Sequence, residues 1–147
     1  MTPNNIELLH GDELLCLVNC IINADYYIND PDAPNEQCDQ NFQKNIGVNR
    51  QFAMSSRRIA RKKLHAIPSM YDSAEPWAAS PLLSQMSLDV ISKLSTEELI
   101  CFANCIKNTL ISLDDDDDDF HTHIGVTVAF AQTFRQALEM QLTKRQT

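Results

Sequence analysis

Glycine is scarce in this chain, three residues in 147, and there is a single tryptophan. So little glycine leaves no phosphate-cradling loop, and the β-branched alternation of a half-buried strand is largely missing, so the composition leans towards helix. There is no G-x-S-x-G elbow and no H-E-x-x-H pair, and the four histidines (His10, His65, His121, His123) are scattered apart from the last two. The usual signatures of hydrolytic and metal-dependent catalysis are therefore absent, and we expect a protein that is not an enzyme and needs no cofactor. No apolar run reaches the roughly 18 residues of a membrane span, and no basic-then-apolar leader opens the chain. These absences lead to the expectation of a cytoplasmic protein without membrane association. Five cysteines, an odd number, suit reduced thiols in such a compartment better than a disulfide framework. Positive charge is also short, 12 basic against 20 acidic residues, for a net charge of −8.

What the chain does have is an internal repeat. Residues 6–23 align without a gap on residues 91–108, with identities at Ile6/Ile91, Leu9/Leu94, Glu13/Glu98, Leu14/Leu99, Cys16/Cys101, Asn19/Asn104, Cys20/Cys105, Ile21/Ile106 and Asn23/Asn108. A second block follows in each half, residues 46–57 against 124–135, matching Ile46-Gly47-Val48 with Ile124-Gly125-Val126, Phe52 with Phe130, Ala53 with Ala131 and Arg57 with Arg135. Twenty-two residues separate the blocks in the first copy and fifteen in the second, so the variation falls in the intervening segment, which reads as a loop within one repeated supersecondary unit.

Both blocks have the period of a helix. Around 100° per residue, Leu14, Leu17, Val18, Ile21 and Ile22 share an arc with Asp12, Asn19 and Asn23 opposite, and Leu99, Phe102, Ala103 and Ile106 repeat it against Asn104 and Asn108. Ser95-Thr96-Glu97-Glu98 reads as a capping box, and His10-Gly11-Asp12-Glu13 stands in its place as a weaker start. The apolar runs before the caps, residues 6–9 and 88–94, predict a turn or two of preceding helix. In the second blocks Phe52, Ile59, Ala60, Leu64 and Ile67 fall on one face, as do Phe130, Phe134, Ala137 and Leu138. A mid-helix asparagine is a poor helix former, so Asn19 and Asn104 are expected to cap or cross-link helices.

The fold expected is thus all-α, a single domain over 1–147 in which two helical hairpins, residues 6–67 and 87–142, form a pseudo-symmetric bundle joined by a connection over 68–86, with Trp77 folding back onto it. Its core should contain Leu14, Leu17, Ile21, Phe52, Leu99, Phe102, Ile106, Phe130 and Phe134.

Three features carry possible chemistry. Cys16/Cys20 and Cys101/Cys105 have i, i+4 spacing, so four thiolates could meet at a tetrahedral zinc, but structural zinc favours C-x2-C knuckles on turns, and packing beside the apolar arc is preferred. Cys38, unmatched in the second copy, lies in a polar loop, where a reactive thiol is one reading and an incidental exposed cysteine the preferred one. Six of the basic residues (Arg50, Arg57, Arg58, Arg61, Lys62, Lys63) fall within residues 50–63, which leaves six basic against 20 acidic residues elsewhere. Arg50, Arg57, Arg58, Arg61 and Lys62 form a stripe that nucleic-acid phosphates would match, although no aromatic residue is interleaved with them and the acidic remainder repels a polyanion.

Asp114, Asp115, Asp116, Asp117, Asp118 and Asp119 form a run followed by His121-Thr122-His123. It lacks the alternation and the turning glycine of a calcium loop, so it reads as a solvated acidic loop held open by self-repulsion. Carboxylates on such a surface can imitate phosphates or dock on a basic groove. The leading functional expectation is a non-enzymatic acidic protein that binds another protein with a basic surface, such as an anti-CRISPR-like inhibitor of host defence encoded by a phage or mobile element. The alternatives are a nucleic-acid-binding or regulatory protein using the basic stripe, a toxin-immunity protein, and a metal-dependent enzyme or sensor using His121, His123 and the aspartates.

Overall fold

The computed structural model describes residues 5–66, 83–114 and 116–146. Ile67, Trp77, Asp115 and most of the connection expected over 68–86 lie outside the described residues. Among the described residues the regular structure is entirely helical: a 3₁₀ turn at Asn5–Leu8, then α1 (Gly11–Ile28), α2 (Asn35–Ile46), α3 (Arg50–His65), α4 (Gln85–Lys93), α5 (Thr96–Ser112), α6 (Asp117–Ile124) and α7 (Val128–Gln146). The 3₁₀ turn and α4 are the short helices foreseen ahead of the two caps.

The capping box at α5 forms as expected: Glu98 N donates to Ser95 Oγ at 3.0 Å, and Ser95 N donates to Glu98 Oε1 at 2.8 Å. At α1 the corresponding Glu13 accepts from His10 N at 3.0 Å, but its other oxygen is buried and accepts from Ser87 Oγ of α4 at 2.6 Å. One carboxylate therefore both starts α1 and ties it to α4.

The intervening segments are not plain loops. Each carries a helix, α2 in the first half and α6 in the second, and each of these helices ends on a glycine in the left-handed region, Gly47 at φ 97° and Gly125 at φ 94°. The Ile-Gly-Val matches are thus helix ends, where a residue without Cβ lets the chain turn back. Phe42 and Phe120, each four residues ahead of the matched isoleucine, are fully buried and anchor the two short helices. The acidic loop is corrected on the same ground. Asp116 caps α6 by accepting from Asp119 N at 3.0 Å, and Asp117, Asp118 and Asp119 form its first turn, where the positive end of the helix dipole favours carboxylates.

α1 and α3 run antiparallel, since Arg50 at the start of α3 meets Asp25 late in α1, and Arg57 further along α3 meets Val18 earlier in α1. α7 returns along α5 in the same way: Arg145 near its end donates to the carbonyls of Ser92 and Leu94 and to the hydroxyl of Thr96. α1 and α5 pack against each other, with Thr109 Oγ1 donating to Cys20 O at 3.2 Å and Asn23 Nδ2 to Ser112 Oγ at 3.0 Å. One apolar core spans both halves and includes every residue expected there except Phe52, which is half-buried. On α3 the buried line is Ala53, Ser56, Ala60 and Leu64, with Phe52 and Ile59 flanking it. Small side chains let α3 lie close on α1, and that displaces the predicted face by a fraction of a turn.

Two contacts cross between the halves in matching form. Asn19 Nδ2 of α1 donates to Ile124 O at the end of α6 at 2.7 Å, and Asn104 Nδ2 of α5 donates to Ile46 O at the end of α2 at 2.7 Å. Beside them a Cβ added at Gly125 would meet Leu15 of α1, and one added at Gly47 would meet Ile100 of α5.

Candidate functional site

Several of the polar groups the fold buries are used within it, although Asn29 Oδ1, Asn108 Oδ1 and Arg135 Nε are buried without a hydrogen-bond partner among the described residues. Asp25, Asn29 and Arg50 make a network at the end of α1: Arg50 donates to both Asp25 oxygens at 2.9 Å, Asn29 Nδ2 donates to Asp25 Oδ1 at 2.9 Å and to Cys38 O at 3.3 Å, and Asp39 of α2 completes it at 3.5 Å from Arg50. The hydrogen bond to Asp25 raises the guanidinium's pKa, so Arg50 stays charged at every physiological pH. Glu13 and Thr109 are likewise held by Ser87 and by Cys20 O.

The four paired cysteines are fully buried. Sγ of Cys16 and Sγ of Cys20 lie 3.9 Å apart, and the hydrogen bond between them, reinforced by burial, pushes the Cys16 thiol well above its ordinary range. The bond to Cys101, again with burial, does the same for Cys105. Neutral thiols in a dry core act as small apolar side chains. Among the described residues no group of three or more His, Cys, Asp or Glu side chains is arranged to hold a metal ion. His123 sits one turn beyond the acidic run, its Nδ1 2.8 Å from Asp119 O of its own helix. Cys38 is not an exposed thiol: it lies on α2, is buried, and its Sγ faces Ala33 O at 3.8 Å.

The basic stripe is divided by the structure. Arg50 is taken by Asp25. Arg57 turns towards α1, where its Nε donates to Val18 O at 2.9 Å; burial and then the neighbouring Arg61 lower its pKa, and Tyr26 of α1 acts in the opposite sense. Arg58, Arg61, Lys62 and Lys63 are exposed and have no ion-pair or hydrogen-bond partner among the described residues. An aromatic residue stands at one end of this helix pair: Tyr26 of α1, 69% exposed, follows Asp25, which pairs with Arg50 at the start of α3. Only the antiparallel packing of α1 on α3 brings them together, so sequence spacing held no signal for it.

The acidic run makes the other charged surface. Asp114, in the left-handed region at φ 55°, together with Asp116, Asp117, Asp118 and Asp119, projects from the start of α6, all five exposed and none in an ion pair among the described residues. A third surface is apolar. A groove of about 530 Å³ runs between α4 and α7, floored by Leu88, Ile91, Ala137 and Met140.

No protein-family model, no curated protein and no solved structure matches this chain. Among the described residues no helix is long and apolar enough to cross a membrane.

Proposed function

We propose that the protein is a non-enzymatic binding protein that engages another macromolecule through its exposed acidic surface, and that its scaffold is a duplicated three-helix unit arranged about a pseudo-two-fold axis. The observation that carries the functional reading is the partition of charge. The hydrogen-bonded buried groups described above are engaged inside the fold, whereas the five described carboxylates of the aspartate run are exposed and make no ion pair among the described residues, Asp116 also capping α6. Charge left free on a rigid helix start serves recognition, steering a basic partner to the surface and fixing its register. A phosphate-imitating inhibitor or an immunity protein could use such a surface against a partner of complementary, basic charge. The scaffold reading is supported by the order of elements, by the two glycine-terminated short helices and by the exchanged contacts of Asn19 and Asn104.

The test compares two baits in lysate of the native host, the wild-type chain and a variant with the aspartates at 114–119 replaced by Asn. Asn retains the cap at position 116, so the fold should survive. A partner retained by the wild type, absent with the variant, and released as salt rises past about 0.15 M supports the reading, because screening then acts over ~8 Å. Recovery of the same proteins by both baits sinks it.

A further inference from the structure

We infer that the outward face of α3 is a second binding surface, one that takes the backbone of single-stranded nucleic acid. Arg58, Arg61 and Lys62 stand at i, i+3 and i+4, so their stems are neighbours about 5–6 Å apart on one face of the helix. They are exposed and unpartnered among the described residues, with Lys63 on the flank. In a chain of net charge −8, cations that make no ion pair among the described residues form a basic patch, and a segregated patch is the condition under which an acidic protein can still hold a polyanion. Arginine's planar fork suits phosphate oxygens better than a point charge does.

Two further observations select the class of anion. Tyr26, near the end of α1 with 69% of its surface free, lies one residue past Asp25 and so towards the Arg50 end of the same helix pair, giving one base a ring to stack on beyond the cations. α3 itself exposes no large apolar side chain to insert into a lipid surface. The comparison with α7 rests on the repeat proposed above. Positions 136, 139, 140 and 141, which correspond to 58, 61, 62 and 63, are Gln136, Glu139, Met140 and Gln141. Cations on this face are therefore not a requirement of the fold, and they occur in one copy only. Arg57 belongs to the scaffold through Val18 and is left intact in the test.

Fluorescence anisotropy of a labelled oligothymidylate of about 20 nucleotides, at about 0.05 M salt, reads the proposal directly. The wild type should bind, and Arg58→Gln/Arg61→Gln/Lys62→Gln should bind at least about tenfold more weakly, with the slope of log K against log salt reduced by about 0.7 for each phosphate that is no longer neutralised. Tyr26→Ala should weaken the oligothymidylate complex while leaving binding to a duplex of equal length unchanged. Circular dichroism of each variant should match the wild type. No binding by the wild type, or equal affinity in the triple variant, overturns the proposal. So does polyglutamate competing as well as the oligonucleotide at equal charge, which would mark the face as a site for acidic protein. The Asn variant of the aspartate run separates the two readings: it should bind the oligonucleotide as well as or better than the wild type, whether or not the acidic surface has a protein partner.

Discussion

Asn104 Nδ2 donates to the backbone carbonyl of Ile46 at 2.7 Å, so a side chain of the second half closes a helix of the first, and Asn19 returns the contact to Ile124 at the same distance. A helix end leaves carbonyls without intrahelical partners, and a carboxamide at this position satisfies one of them where water is largely shut out. Asn19→Ala and Asn104→Ala should each cost about 1–3 kcal/mol in urea unfolding, and by similar amounts, since each leaves one such carbonyl unsatisfied. A cost below about 0.5 kcal/mol for one and not the other would show that the two contacts are not equivalent.

The Asp25–Arg50 pair offers a test in which the protein supplies its own control. The corresponding positions of the second half are Leu110 and Val128, both buried. Asp25→Leu alone removes the closest partner of both Arg50 and Asn29, leaving them only Asp39 and Cys38 O, and should destabilise by about 3 kcal/mol, whereas Asp25→Leu/Arg50→Val should recover much of the loss, because a well-packed apolar pair replaces a partly buried ion pair at little net cost. A double variant less stable than the single one would mean that the network positions α2 through Asp39 and Asn29 in a way packing cannot replace.

Glycine substitution should be costly at both helix ends and unequal between them. Alanine is strained by about 1–2 kcal/mol in the left-handed region. At Gly125 the new Cβ would also lie 2.8 Å from Leu15 Cδ2, against 3.3 Å from Ile100 Cγ2 at Gly47. Gly125→Ala is expected to lower the melting temperature more than Gly47→Ala, and the opposite order would show that Leu15 moves aside freely.

Phe102 and Phe52 should part company on truncation. Phe102 is fully buried and should cost about 3–5 kcal/mol as Ala, whereas half-buried Phe52 should cost clearly less. Equal costs in chemical denaturation would contradict the half-burial of Phe52 on α3.

Alkaline pH should loosen the fold through the thiols. Cys16 and Cys105 have folded-state pKa values raised above those of an open chain, so the native state keeps protons that the unfolded chain releases. The stabilisation is complete below the unfolded value of about 8.5 and declines as pH rises beyond it. Urea midpoints should fall above that pH, and Cys16→Ala/Cys105→Ala should flatten the fall while lowering stability overall. Midpoints that stay level to pH 10, about 1.5 units above the free thiol, would contradict the burial of neutral thiols.

How far the fold could be read in advance depended on the range of each interaction. The repeated blocks, the 100° periodicity and the capping box at Ser95 are local, and they determined the helical class, the core of α1 and α5 and the start of α5. The Ile-Gly-Val ends of α2 and α6 are equally local, a buried isoleucine followed by a glycine in the left-handed region that stops each helix. A run of aspartates has repulsion in every conformation, and only a helix beginning within it turns that repulsion into favourable contact with free amides. Tertiary structure alone decided which cations remained free: Arg50 and Arg57 are as polar as Arg58 and Arg61, but the packing of α3 on α1 brings the first two to Asp25 and Val18 O and leaves the others in water. The sequence by itself thus determined helices, cores and net charge, because these follow from near neighbours along the chain. The pairing of distant groups, and with it which charged side chains stay exposed, had to await the fold, because it depends on which helix faces lie against one another.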